Sequence, residues 1–153
     1  TGTHETTQGC LLMLDTLLNG RSATRVLDGG CGSAILGIAA AQLGHQVVGV
    51  DVDADALSNA HHNLEINGVD DQVKLHHGSA ADVDESFPVV VANILAPILI
   101  ENASAIAARC EGDLILSGLM PKHLDDIQAA YKGWTISRSA MHGPWQVLHL
   151  VPE

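Results

Sequence analysis

The run Val26-Leu27-Asp28-Gly29-Gly30-Cys31-Gly32-Ser33-Ala34 constrains this chain more than any other stretch. An apolar strand ends there in a glycine-rich turn that feeds a helix. About twenty residues on, the strand Val47-Val48-Gly49-Val50-Asp51 delivers a carboxylate to the same edge of the sheet. A third apolar strand, Val89-Val90-Val91-Ala92, ends in Asn93-Ile94-Leu95-Ala96 and sets a polar side chain beside that crevice. In an open α/β sheet, ligands lie outside the carboxyl ends of the strands where the winding direction reverses, so this layout describes a nucleoside pocket.

The remaining segments fit the same architecture. Cys10, Leu11, Leu14, Leu17 and Leu18 recur at helical spacing up to a stop at Asn19-Gly20. A helix follows the glycine turn through Ile35 to Ala40 and stops at Gly44, and Asp53 is placed to cap a helix carrying Leu57, Ala60 and Leu64. Val73, Leu75 and His77 alternate as a short third strand, and Val89 to Asn93 reads as a fully buried fourth. One helix is expected from Pro97 to about Arg109, a fifth strand at Leu114-Ile115-Leu116, and a helix from Pro121 to Tyr131. Two adjacent strands, Trp134 to Arg138 and Trp145 to Val151, close the chain. The pattern predicts an α/β fold: a doubly wound, mostly parallel sheet with a C-terminal antiparallel hairpin.

Composition narrows the possible partners. With 153 residues, 46% of them hydrophobic, the chain fits one globular domain, and it has neither repeats nor linker-like runs. Seven basic residues stand against 18 acidic, for a net charge of −11, which disfavours nucleic acid and favours cationic or neutral substrates. Three cysteines without paired spacing argue against a disulfide framework, so a reducing cytoplasm is the simplest home. No apolar run approaches the ~20 residues of a spanning helix, and no membrane partner is expected. The chain opens on Thr1 without an initiator Met and reads as the middle of a longer protein.

The glycine spacing separates two ligand classes. A dinucleotide GxGxxG starting at Gly30 needs Gly or Ala at position 35, where Ile35 stands, so the nicotinamide fingerprint fails. A GxGxG loop fits better, with Ala34 in its last place. Gly30 and Gly32 let the backbone approach a ligand, and the helix start behind them favours an anionic group such as a methionyl carboxylate. Asp51 suits both ribose hydroxyls, while Asp28 is expected to fix the loop through backbone N–H groups or to reach the ligand's amino group. Asn93 suits the reaction itself, because methyl transfer is an in-line displacement that needs a neutral amine held on the axis. These residues point to S-adenosylmethionine and methyl transfer to nitrogen. His61-His62 and His76-His77 have no zinc-type spacing and read as exposed polar residues; His4 and Cys31 likewise carry no metal or nucleophile pattern.

The chain resembles the ribosomal protein L-eleven methyltransferase family, the PrmA type, in Thr1-Gly2-Thr3-His4-Glu5-Thr6-Thr7, in the loop Val26-Leu27-Asp28 with Gly30-Cys31-Gly32-Ser33, in Gly49-Val50-Asp51-Val52-Asp53, and in Val91-Ala92-Asn93-Ile94-Leu95-Ala96. Leu116-Ser117-Gly118 and Trp145 add to the likeness. The resemblance implies a Rossmann-like class I, seven-stranded, S-adenosylmethionine-dependent enzyme that methylates lysine and N-terminal amines of a ribosomal protein. It further implies that Thr7, Gly30, Asp51 and Asn93 line the cofactor pocket, with Thr3 to Thr7 folded over it. By the same likeness, residues 1–153 form the catalytic domain, and the family's N-terminal substrate-recognition domain lies outside this chain. Gly29 stands where the family usually has Phe or another large apolar residue, and Ala34 replaces the last loop glycine. A small-molecule or different protein acceptor, or a non-catalytic nucleoside-binding module, are the alternatives to be distinguished.

Overall fold

The computed structural model describes residues 4–153, so Thr1, Gly2 and Thr3 of the opening motif, and the side chain of His4, lie outside the described residues. Seven strands form one sheet: β1 (Arg25–Gly29), β2 (Gln46–Asp51), β3 (Val73–His77), β4 (Phe87–Asn93), β5 (Cys110–Leu119), β6 (Trp134–His142) and β7 (Trp145–Pro152). Their order is β3-β2-β1-β4-β5-β7-β6. Strands β1 to β5 run parallel, and β7 inserts antiparallel between β5 and β6. The winding reverses between β1 and β4, which opens the crevice expected from the sequence.

Helices α1 (His4–Leu18), α2 (Ile35–Gln42) and α3 (Ala54–Ile66) cover one face. Helices α4 (Ala96–Glu101), α5 (Ala103–Ala108) and α6 (Leu124–Ala130) cover the other. Alternation along β4 shows how both faces are served at once: Val89 and Val91 pack with Leu14, Leu36 and Leu64, while Val90 and Ala92 pack with Leu99, Ile106 and Ile127. A strand buried on both sides reads as a continuous apolar run, as this one does. Among the described residues no helix is long and apolar enough to cross a membrane.

Four elements differ from the sequence expectation, one of them β6, which runs past Arg138 to His142. The helix expected from Pro97 to Arg109 is broken at Asn102, whose backbone N–H and side-chain amide both return to the Ile98 carbonyl, each at 3.0 Å. The Asn102 carbonyl then accepts the Ile106 N–H at the start of α5. β5 begins at Cys110 and is several residues longer than its apolar centre, because its first residues pair with Phe87 and Val89. Pro121 opens a 3-10 turn, Pro121–His123, and α6 starts only at Leu124.

Candidate functional site

The crevice holds a cavity of about 790 Å³, within the range typical of ligand pockets. Its wall gathers residues far apart in sequence: Thr7 from the first turn of α1, Gly30 and Gly32 from the glycine turn, Asp51 from the end of β2, and Asn93 from the end of β4. Five of the six residues singled out as cofactor contacts therefore meet in one place. Asp28 is the exception, lying 1% exposed beneath the loop and outside the cavity wall.

The turn is built by φ angles that side chains disfavour. Gly30 has φ 88°, and a Cβ there would lie 2.6 Å from Ile94 Cγ2, so the turn and the Asn93-Ile94 segment approach closely only because Gly30 has none. Gly32 has φ 53°, and a Cβ there would meet nothing within 4 Å, which leaves open space on the cavity side. Ala34 also adopts the left-handed conformation, at φ 71°, and precedes α2 without a side-chain cap. The uncapped start of α2 borders the cavity through Ser33 and Ile35, and its positive end favours an anionic group there.

Backbone hydrogen bonds tie this turn to β2. The N–H groups of Gly30 and Cys31 donate to the Val50 carbonyl at 2.8 and 2.9 Å, and the Gly32 N–H donates to Asp51 Oδ2 at 2.8 Å. Asp51 Oδ1 accepts the Asp53 N–H at 2.9 Å, and Asp53 caps α3 by accepting the Asp55 N–H at 2.9 Å. The carboxylate that fixes the loop is thus Asp51, where the sequence had pointed to Asp28. Each Asp51 oxygen keeps further acceptor capacity toward the cavity.

Asp28 faces α1 and α2 instead. Neither of its carboxyl oxygens has a close hydrogen-bond partner. Burial pushes its pKa up to about 7, the Asp51 charge adds to the rise, and the Gly37 N–H opposes it. Burial also pushes the neighbouring Cys10 thiol up to about 12 and raises Cys31, so both stay protonated and unreactive at neutral pH. His61, His62, His76 and His77 are exposed and belong to no cavity wall described above.

Asn93 carries another such atom. Its Oδ1 is buried, without a hydrogen-bond partner, on a residue of the cavity wall. Such an acceptor is costly unless a ligand donor completes it. Sequence reasoning missed the wall formed by Ile98, Asn102 and Ile106, and the turn at Gly78, Ser79 and Ala80. The signal available was position alone, since the helices after β4 must pass over the switch point.

The sequence pattern of the family described as Ribosomal protein L11 methyltransferase (PrmA) matches residues 1–152. The chain belongs to this family. Similar relatives of that name include one from Dechloromonas aromatica, 47% identical over 137 residues, covering 88% of this chain and 45% of the relative. Another, from Thiobacillus denitrificans, is 42% identical over 139 residues, covering 89% of this chain and again 45% of the relative. The chain thus spans just under half the length of these L11 methyltransferases. The crystal structure of a ribosomal protein L11 methylase from Lactobacillus delbrueckii subsp. bulgaricus superposes with TM-score 0.92 at 31% identity, over 99% of this chain and 81% of that one. A magnesium protoporphyrin IX methyltransferase from Synechocystis, solved with bound SAM, shares the fold at TM-score 0.76 and 21% identity, over 97% of this chain and 78% of that one.

Proposed function

We propose that this chain is the cofactor-binding and methyl-transferring domain, residues 1–153, of an S-adenosylmethionine-dependent protein N-methyltransferase whose acceptor amines lie on ribosomal protein L11. Family membership supports the reading, and the observation that carries it is the convergence of Thr7, Gly30, Gly32, Asp51 and Asn93 on the wall of one nucleoside-sized cavity.

The residues present fit the cofactor. The start of α2 would take the methionyl carboxylate, Gly30 and Gly32 would let the backbone lie close to the sulfonium, Asp51 would accept from the ribose hydroxyls, and Thr7 would close the cavity from α1. When bound, the cofactor supplies an electrophilic methyl group on a sulfonium. Asn93 Oδ1 accepts an N–H of the acceptor amine and aims the nitrogen lone pair along the displacement axis. The negative surroundings, with Asp51 and Asp53 at this edge and a net charge of −11, suit a basic acceptor segment rather than a phosphate backbone.

Lysine, with an ordinary pKa of ~10.4, must lose a proton before its lone pair is available. Methyl transfer should therefore rise with pH from about 7 to about 9 when chemistry is limiting. The direct test incubates the chain with S-adenosylmethionine and purified ribosomal protein L11, lysine-bearing peptides or small amines, and reads methylation by mass spectrometry. Transfer to L11 or its peptides with that pH profile supports the reading. Transfer to small amines alone shifts the acceptor class, and a flat profile with chemistry limiting removes the neutral-amine mechanism.

A further inference from the structure

The cavity wall is incomplete at Gly29. This glycine ends β1 outside the left-handed region, in a conformation any residue adopts, and it is buried. A Cβ built there would meet only the Val91 carbonyl oxygen, at 3.9 Å, in ordinary contact. Neither sterics nor backbone geometry therefore requires glycine here, in contrast to Gly30. Its pairing with Val50 places it on the α4–α5 face of the sheet, where Leu27 and Val50 belong to one apolar cluster with Ala80 and Ile106. The missing side chain leaves a gap in the cavity wall between Gly29, Ala80 and Ile106, with Ile98 nearby and Ser79 and Asn102 as the polar groups at that end.

We propose that this gap is an apolar recess that accepts a hydrophobic substituent on the purine of an adenosyl ligand, so that Gly29 determines which ligands the cavity admits. The proposal rests on the cofactor reading above. With the carboxylate at α2 and the ribose at Asp51, the purine, attached on the far side of the ribose, is left with Val52, Ala80 and Ile98. In that placement its amino edge would face the Ser79–Ala80 turn, and a group carried on that nitrogen would have Ala80, Ile106 and Gly29 as the nearby wall. Apolar walls hold water poorly, so an aryl group there replaces weakly bound solvent with close contact.

The test is isothermal titration of S-adenosylhomocysteine and its N6-benzyl analogue into the chain and into Gly29→Ala and Gly29→Val. Thermal melts of each variant check folding, and Val is favoured at a strand end as well as being sterically allowed. The chain itself is expected to bind the benzyl analogue at least as tightly as the parent. In Gly29→Val the ratio of analogue to parent affinity should fall by about tenfold or more, and in Gly29→Ala by less. An analogue bound about tenfold more weakly than the parent by the unaltered chain, or a ratio unmoved by Gly29→Val, would overturn the recess. Failure of the parent ligand to bind the unaltered chain would instead overturn the adenosyl reading, and the recess with it.

Discussion

The Asp51 carboxylate accepts the Gly32 N–H at 2.8 Å, so the end of β2 holds the glycine turn in the shape that leaves the cavity open. One side chain thereby fixes the loop and presents its remaining lone pairs to the cavity, where the proposed reading puts the ribose hydroxyls. Asp51→Ala should weaken S-adenosylhomocysteine by ~1–3 kcal/mol, the scale of a lost charged hydrogen-bond partner. Asp51→Asn keeps one carbonyl oxygen for Gly32 and should lose less. Calorimetric titration reads both, and unchanged affinity in Asp51→Ala removes this residue from the site.

Ala34 holds a left-handed conformation, φ 71° and ψ 19°, that costs an alanine about 1–2 kcal/mol and a glycine little. Ala34→Gly should therefore stabilise the fold by about 1 kcal/mol after the greater flexibility of the unfolded glycine is subtracted. The position is 1% exposed, so removing its methyl group will recover part of that gain as lost packing. Urea denaturation at fixed pH measures the sum. A loss of stability like that of Ala→Gly inside an ordinary helix would show that the strain is relieved in solution.

Asp28 gives the fold a pH dependence of unusual sign. Its folded pKa, about 7, lies above the ordinary carboxyl value of 3.8, so between these values the folded chain binds more protons than the unfolded one. Its contribution to stability is then complete at low pH, falls as pH rises from 3.8 to about 7, and levels off above. Asp28→Asn keeps the shape and removes the charge, and should flatten this slope and exceed the unaltered protein in stability at about pH 8. Denaturation curves at about pH 5 and about pH 8 decide it, since equal slopes in the two proteins would mean that Asp28 does not titrate in this range.

Much of this architecture is legible in the chain because local and global signals agree. The buried run Val89 to Ala92, the glycine stops and the Asp53 cap each fix an element from its own residues. The site is legible where it follows the strand ends, at Gly30, Gly32, Asp51 and Asn93. It is not legible where two carboxylates compete for one role. Asp28 and Asp51 both end strands beside the loop, and only the register of β1 against β2, with Asp28 turned toward α1 and α2, decides which of them reaches Gly32. Ile98, Asn102 and Ile106 were hidden for another reason. They stand four residues apart and share one helix face, but the apolar pattern alone does not say whether that face meets the sheet or the cavity.

On the proposed mechanism, substitution of Asn93 should separate binding from chemistry. It ends β4 beside Ser117 of β5, and the following Ile94-Leu95 segment passes over Gly118, where a Cβ would collide with the Ile94 carbonyl oxygen. The Oδ1 atom is held buried without a partner in the folded protein, so turning the amide toward an incoming N–H would replace an unmet acceptor with a hydrogen bond. In that mechanism an amine held there would form the bond in the transition state, where orientation counts most, whereas the ribose and carboxylate contacts would be made elsewhere in the cavity. Asn93→Ala should lower kcat by about a hundredfold or more while S-adenosylhomocysteine affinity changes by less than the Asp51→Ala loss of ~1–3 kcal/mol. Single-turnover methyl transfer and calorimetry on the same preparation separate the two effects. A variant that keeps its turnover, or that loses cofactor affinity and rate in equal measure, would place Asn93 among the cofactor contacts alone and leave the aiming of the amine to backbone carbonyls.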